Sequence, residues 1–296
     1  MVFVSSEGKF NDNSYLVDGM IFRLQGQLSL YVIENEGERV MIDAGVKLSA
    51  RKVVKKLQNW GLFPIHKIIL THSHFDHIQA IGKLESLMKS AEVEVLASAN
   101  AIDNLKHPEK MNEYFEYDIE PMEYITPLND GDIVDLNGLE LQILDFFGHT
   151  HDCIAIFDTK NRNIFVGDAI IDKISPHTML PEFVPPDFDE SAYIKTLRKL
   201  KEMEKELDSI SLGHFGVWQG EDFRKIVSEV EDFHFDVKNS IIRWYQENPT
   251  LDSITLKYYE TFIPNSEIYN KENIHGLEFE MQWFIDGLKA IGEIED

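Results

Sequence analysis

Thr71-His72-Ser73-His74-Phe75-Asp76-His77 follows directly on the apolar run Lys67-Ile68-Ile69-Leu70. Three histidines and an aspartate thus crowd positions 72 to 77, at the end of what reads as a short strand. Imidazole and carboxylate are the usual neutral and anionic ligands of zinc and related divalent metals. Four such groups on one short loop cannot all serve a single tetrahedral ion comfortably, but they can divide between two ions.

Three later segments supply more ligand types in the same setting. Gly148-His149-Thr150-His151-Asp152 follows a strand-like run at 139–146. Gly167-Asp168-Ala169 follows Asn163-Ile164-Phe165-Val166, and Gly213-His214-Phe215-Gly216 follows Ile210-Ser211-Leu212. Each is an apolar strand, then a glycine, then one metal-capable side chain. Glycine permits a sharp turn where the strand ends. Ligands leaving several strand ends can converge on one edge of a sheet, where clefts commonly form.

H-x-H-x-D-H, then G-H-T, G-D-A and a late G-H, with Ile42-Asp43-Ala44-Gly45 ahead of them, resembles the metallo-β-lactamase-fold hydrolase superfamily. The match spans roughly residues 20 to 220. The resemblance implies an α+β fold: an αβ/βα four-layer sandwich, two packed sheets flanked by helices, with the metals in a groove at one edge. It implies that His72, His74 and His149 hold a first metal, that Asp76, His77 and His214 hold a second, and that Asp168 bridges them. Asp43 would orient a ligand or its loop rather than bind metal. Two divalent ions follow as cofactors, with zinc the default and iron or manganese also suited to this nitrogen and oxygen set.

The 296 residues, 43% hydrophobic, suffice for one large domain plus an appendage. The expected division is a catalytic domain at 1–220 and a helical extension at 221–296. The extension is a candidate for a cap, a homodimer contact or a degenerate winged tail. Nothing near Met1 reads as a signal peptide, and no apolar run is long enough for a membrane span, so the expected compartment is the cytoplasm. The single cysteine, Cys153, excludes an internal disulfide and reads as a small buried residue. A formal net charge of −24 counts against nucleic-acid and membrane partners and leaves a small molecule as the expected substrate. The densest basic stretch, 195–205, alternates with glutamates and reads as an amphipathic helix.

Other segments carry coarser signals. Residues 78–88 read as a helix that begins beside His77. Residues 100–125 read as an irregular flap over the groove. Residues 171–190, with Pro176, Pro181, Pro185 and Pro186, read as a loop that is neither regular helix nor sheet and that lines the site. From Glu221 onward the spacing predicts one long helix and two shorter ones near 251–262 and 274–291.

A dinuclear centre lowers the pKa of a bridging water and polarises a carbonyl or phosphoryl oxygen. The expected activity is therefore metal-dependent hydrolysis by a metal-bridging hydroxide of an ester, thioester, lactone or related small-molecule bond, with Asp76 and Asp168 as the catalytic carboxylates. The alternatives are a metal-dependent nuclease or phosphodiesterase and an iron-dependent redox protein of the same fold. Hydroxyacylglutathione hydrolases share the motif but hold glutathione carboxylates with basic residues, and no basic cluster stands in the matching segment here. Candidates for lining the substrate are Phe75, His151, His177, Phe215 and Trp218, each beside a ligand or in the proline-rich stretch.

Overall fold

Parallel strands cannot be joined by a tight turn, so each parallel pair in this chain encloses a helix. Strands Glu38–Ile42 and Lys67–Leu70 run parallel, Met41 opposite Ile68, with helix Ala50–Trp60 between them. Lys67–Leu70 and Glu94–Ser98 run parallel around helix Ile81–Met88. Asn163–Gly167 and Ser209–Leu212 run parallel around helix Glu190–Met203. The computed structural model describes residues 2–88 and 92–295.

Among these residues two seven-stranded sheets form. The first runs Gly8–Lys9, Ser14–Asp18, Ser29–Asn35, Glu38–Ile42, Lys67–Leu70, Glu94–Ser98, Thr126–Leu128. The second runs Val2–Val4, Val217–Gln219, Ser209–Leu212, Asn163–Gly167, Ile154–Asp158, Leu139–Asp145, Ile133–Leu136. Their inner faces meet in one core. The Tyr31 and Phe165 rings, one from each sheet, lie 5.1 Å apart. The Tyr31 hydroxyl donates across the seam to the carbonyls of Leu212 (2.7 Å) and Gly216 (3.0 Å).

Helices cover the outer faces with the stripe their spacing predicts. Ala50–Trp60 buries Ala50, Val53, Val54 and Leu57. Each large apolar side chain so buried stabilises the layer by roughly 1.5–3 kcal/mol. The 28-residue helix Gly220–Glu247 buries Phe223, Ile226, Val227, Val230 and Val237 against the second sheet. Helices Leu251–Phe262 and His275–Ala290 follow. Beyond Gln219 the described residues form helices and no strand, so a wing hairpin is not among them. No helix among the described residues is long and apolar enough to cross a membrane.

Three local expectations need correction. The stretch expected as an irregular flap, 100–125, holds helices Ile102–Lys106 and Glu109–Phe115. The helix expected over 78–88 is broken: Phe75–Ile78 forms a single turn and Ile81–Met88 a separate helix. The turn carries His77 because the backbone carbonyl of His77 accepts from Ala44 N at 2.7 Å, pinning it to the preceding strand end. The proline-rich stretch holds a hairpin, Asp172–Ser175 against Thr178–Leu180. Pro176 sits at its turn and Pro181 just past its second strand, where neither must donate to the ladder.

Candidate metal centre

The shared direction of the parallel strands brings their carboxyl ends to one rim, and the seam between the sheets opens there. His72, His74, Asp76 and His77 leave the first sheet after Leu70. His149, Asp168 and His214 leave the second, after Asp145, Gly167 and Leu212. The centre therefore straddles both sheets rather than sitting on the edge of one. Two groups form: His72, His74 and His149, and Asp76, His77, Asp168 and His214. Within each group the donor atoms lie within 4.8 Å of one another.

Asp168 lies between the groups. Its Oδ2 is 3.6 Å from His72 Nε2 and 3.9 Å from His149 Nε2, on one side. It is 3.0 Å from His77 Nε2 and 3.4 Å from His214 Nε2, on the other. Gly213 makes this approach feasible: a Cβ there would fall 2.1 Å from Asp168 Oδ1.

Charge sorts the two groups. Burial, with neighbouring imidazoles, holds His72 well below its ordinary range and pushes His74 down to about 3. Burial lowers His149 as well. These three imidazoles are neutral, the form that ligates. For His77 burial opposes protonation, but the carboxylates of Asp168, Asp76 and Asp43 outweigh it and raise the pKa. His214 is raised against its burial by Asp172 and Asp168.

Asp43 holds the first-sheet ligands in place. Its backbone is left-handed, with φ +60°, which aspartate tolerates better than most residues. Its Oδ2 meets His77 Nδ1 at 2.8 Å, and its Oδ1 accepts from Thr71 N at 2.8 Å. His77 Nε2 is thereby turned toward Asp76 and Asp168. Glu182 lies against His149, its Oε2 3.0 Å from Nδ1, without the hydrogen bond that Asp43 makes to His77. Nothing in the sequence pattern marks Glu182, because no motif surrounds it.

The donor set fits divalent metal ions. His72 Nε2 and Asp168 Oδ1 are buried without hydrogen-bond partners. His149 Nε2 and His74 Nδ1 face each other at 2.9 Å. Orphaned buried donors and acceptors of this kind are expensive unless something coordinates them.

A narrow cavity of about 70 Å³ opens over both groups. Of the residues expected to line it, Phe75 does, stacked on Tyr117 with ring centroids 3.9 Å apart. The other four do not. Phe215 is buried in the core, while His214 takes the cavity side. Trp218 stacks on Phe3 at 4.0 Å and lines a second cavity together with His177. His177 is exposed and pairs with Glu267 at 2.7 Å. His151, half-exposed, turns to Asp187 at 3.4 Å. Cys153 is buried, and burial pushes its thiol well up, which suits a packing role.

The rest of the lining comes from places the motifs do not reach. The hairpin and the stretch after it supply Asp172, Ile174 and Glu182. Helix Glu109–Phe115 supplies Phe115, 5.1 Å from the His74 ring. The last helix supplies Glu280, Trp283 and Phe284. Burial pushes the Glu280 carboxyl up to about 7.

Known proteins share this arrangement. The metallo-beta-lactamase superfamily model matches residues 24–214. An uncharacterized protein of Aquifex aeolicus is 26% identical over 145 residues, 48% of this chain and 64% of that relative, so the match spans less than two thirds of its length. The acyl-coenzyme A thioesterase MBLAC2 of Homo sapiens is 20% identical over 240 residues, 73% of this chain and 83% of that protein. The crystal structure of a metallo-beta-lactamase family protein of Thermus thermophilus superposes with a TM-score of 0.68 at 20% identity, covering 96% of this chain and 94% of the other. With its motifs, its two-sheet fold and its paired histidine and aspartate groups in agreement, the chain belongs to the metallo-beta-lactamase superfamily of metal-dependent hydrolases.

Proposed function

We propose that this chain hydrolyses a carbonyl-centred bond in a small ester, thioester or lactone, using two divalent ions. His72, His74 and His149 would hold one ion, Asp76, His77 and His214 the other, and Asp168 both. The observation that carries this reading is Asp168 Oδ2, within 3.9 Å of ring nitrogens from both groups. Divalent ions so held supply Lewis-acid polarisation of a carbonyl and activation of water at neutral pH. The protein's part is to fix the donors and to exclude bulk water. Asp43 orients His77, Glu182 flanks His149, and Phe75 and Phe115 close the apolar side of the cavity. The thioesterase named among the relatives supports acyl chemistry.

We read residues 1–220 as the catalytic unit and 221–296 as its cap. Support comes from Glu280, Trp283 and Phe284, which reach the cavity from the last helix. Zinc is the default metal for this donor set, with iron and manganese as competitors.

The test is elemental analysis of protein purified without added metal, alongside rates on a generic thioester, a lactone and a phosphodiester. About two metals per chain with turnover of the thioester or lactone is the expected result. One iron per chain and no hydrolysis of any member would overturn it.

A further inference from the structure

The cavity over the two groups is small for a site that admits a substrate. At about 70 Å³ it falls well below the roughly 300–1,000 Å³ of ordinary ligand pockets. A row of rings narrows it. The Phe115 ring lies 5.1 Å from the His74 ring, and the Trp283 ring meets Phe115 edge-on, 5.5 Å away at 89°. Edge-on pairs at this distance attract, so the rings brace one another. The row thus runs from a donor imidazole, through the buried Phe115, to the partly buried Trp283, and all three rings line the cavity. The last helix fixes how deep Trp283 sits. Glu280, Trp283 and Phe284 fall three and four residues apart, on one helical face, and each lines the cavity. Gly287 continues that face: a Cβ there would lie 1.8 Å from the Phe183 carbonyl oxygen. Its bare backbone lets the helix seat directly against the stretch that carries Glu182 and Val184, which line the same cavity.

Resting on the hydrolase reading above, we propose that Trp283, braced on Phe115, sets the length of acyl group this chain accepts and limits it to short ones, acetyl to butyryl. Phe115 belongs to helix Glu109–Phe115 and Trp283 to the last helix, so the limit exists only where catalytic unit and cap meet. In an open apolar site each added methylene favours binding by about fourfold. Here added methylenes must displace a braced ring, and the sign reverses: longer chains are disfavoured. The reaction consumes one water and releases a carboxylic acid and a thiol or an alcohol.

The experiment follows hydrolysis of acetyl, butyryl, hexanoyl and octanoyl thioesters of one thiol, N-acetylcysteamine, by the zinc-loaded full chain. Binding of acetohydroxamate and octanohydroxamate, which share a head group, is measured by calorimetry and reads the same limit without turnover. We expect kcat/KM to fall about tenfold from butyryl to octanoyl, the scale of forcing extra methylenes into packed interior. Acetohydroxamate should bind more tightly than octanohydroxamate. Trp283→Ala should erase or reverse both preferences while metal content and acetyl turnover change little. Trp283→Leu, a milder truncation of the same face, should move the limit part of the way and serves if the alanine variant does not fold. Rates that rise with chain length in the wild type, or a profile that neither variant alters, would overturn the limit and leave the hydrolase reading standing. No hydrolysis of any thioester, with acetohydroxamate still preferred and the preference lost in the Trp283 variants, would sustain the limit and overturn the hydrolase reading. Failure of acetohydroxamate to bind at all would overturn both.

Discussion

The floor of the cavity and its wall are assembled in opposite ways. On the floor, four donors come from residues 72 to 77, and the other three each follow a strand end by one to four residues. Their positions are set by backbone that is already fixed in a sheet. On the wall, Asp172 and Glu182, on and just past the hairpin, meet Glu280 of the last helix only because those two elements pack together. Rigid strand ends can hold donors to the tolerance that metal coordination demands. A packed helix face sets shape and charge, which is what distinguishes one substrate from another.

If that division is real, damage to the floor should abolish metal binding and damage to the wall should spare it. The largest effect is expected for Asp168→Ala. Losing the shared carboxylate should drop metal content below two per chain and lower turnover by about 10³-fold or more, since metal activation is worth several kcal/mol. Full activity with unchanged metal content would refute the shared role. Next comes Asp43→Asn, which keeps the shape but weakens the contacts to His77 Nδ1 and Thr71 N. A loss of about 10- to 100-fold in metal affinity is expected, read by competition with a chromogenic chelator.

The wall is probed at Gly287. A Cβ there would lie 1.8 Å from the Phe183 carbonyl oxygen, so the last helix must shift away from the stretch carrying Glu182. Gly287→Ala should destabilise the protein by about 1–3 kcal/mol, as overpacking does. It should also disturb substrate discrimination while two metals remain bound. Metal loss in this variant would show that wall and floor are one unit.

The smallest effect is a pH dependence of the metal-free protein. Glu280 in the folded chain titrates at about 7, above its ordinary 4.5. The folded state therefore holds this proton more tightly, and stability falls as pH rises from about 4.5 to 7, then levels off. The cost is at most about 3 kcal/mol. Glu280→Gln cannot ionise, so its melting temperature should gain on wild type between pH 5 and pH 8. An identical difference at both pH values would remove Glu280 from the acidic wall.

Legibility followed the same line. The seven residues gathered at the rim, and Asp43 beside them, were readable because each stands at a fixed offset from an apolar strand or within a dense motif. Phe215 and Trp218 were misleading for the reason that made His214 legible. Adjacency to a donor says nothing about which side a neighbour faces, and both turn into packed interior. His151 and His177 found carboxylate partners at the surface instead. Glu182, Glu280 and Trp283 carried no signal, because a lone acidic or aromatic residue on a helix or loop is ordinary surface until something packs over it.

Read alone, the chain determined its acidity through composition and, through motif spacing, the metal-capable residues after its strand ends, while the two-sheet class was what its resemblance to the metallo-beta-lactamase superfamily implied. The tertiary structure decided that these residues straddle two sheets and that an acidic, aromatic wall closes over them. Those outcomes depend on contacts between segments far apart in the chain, and such contacts are set by the packing of whole elements rather than by any local pattern.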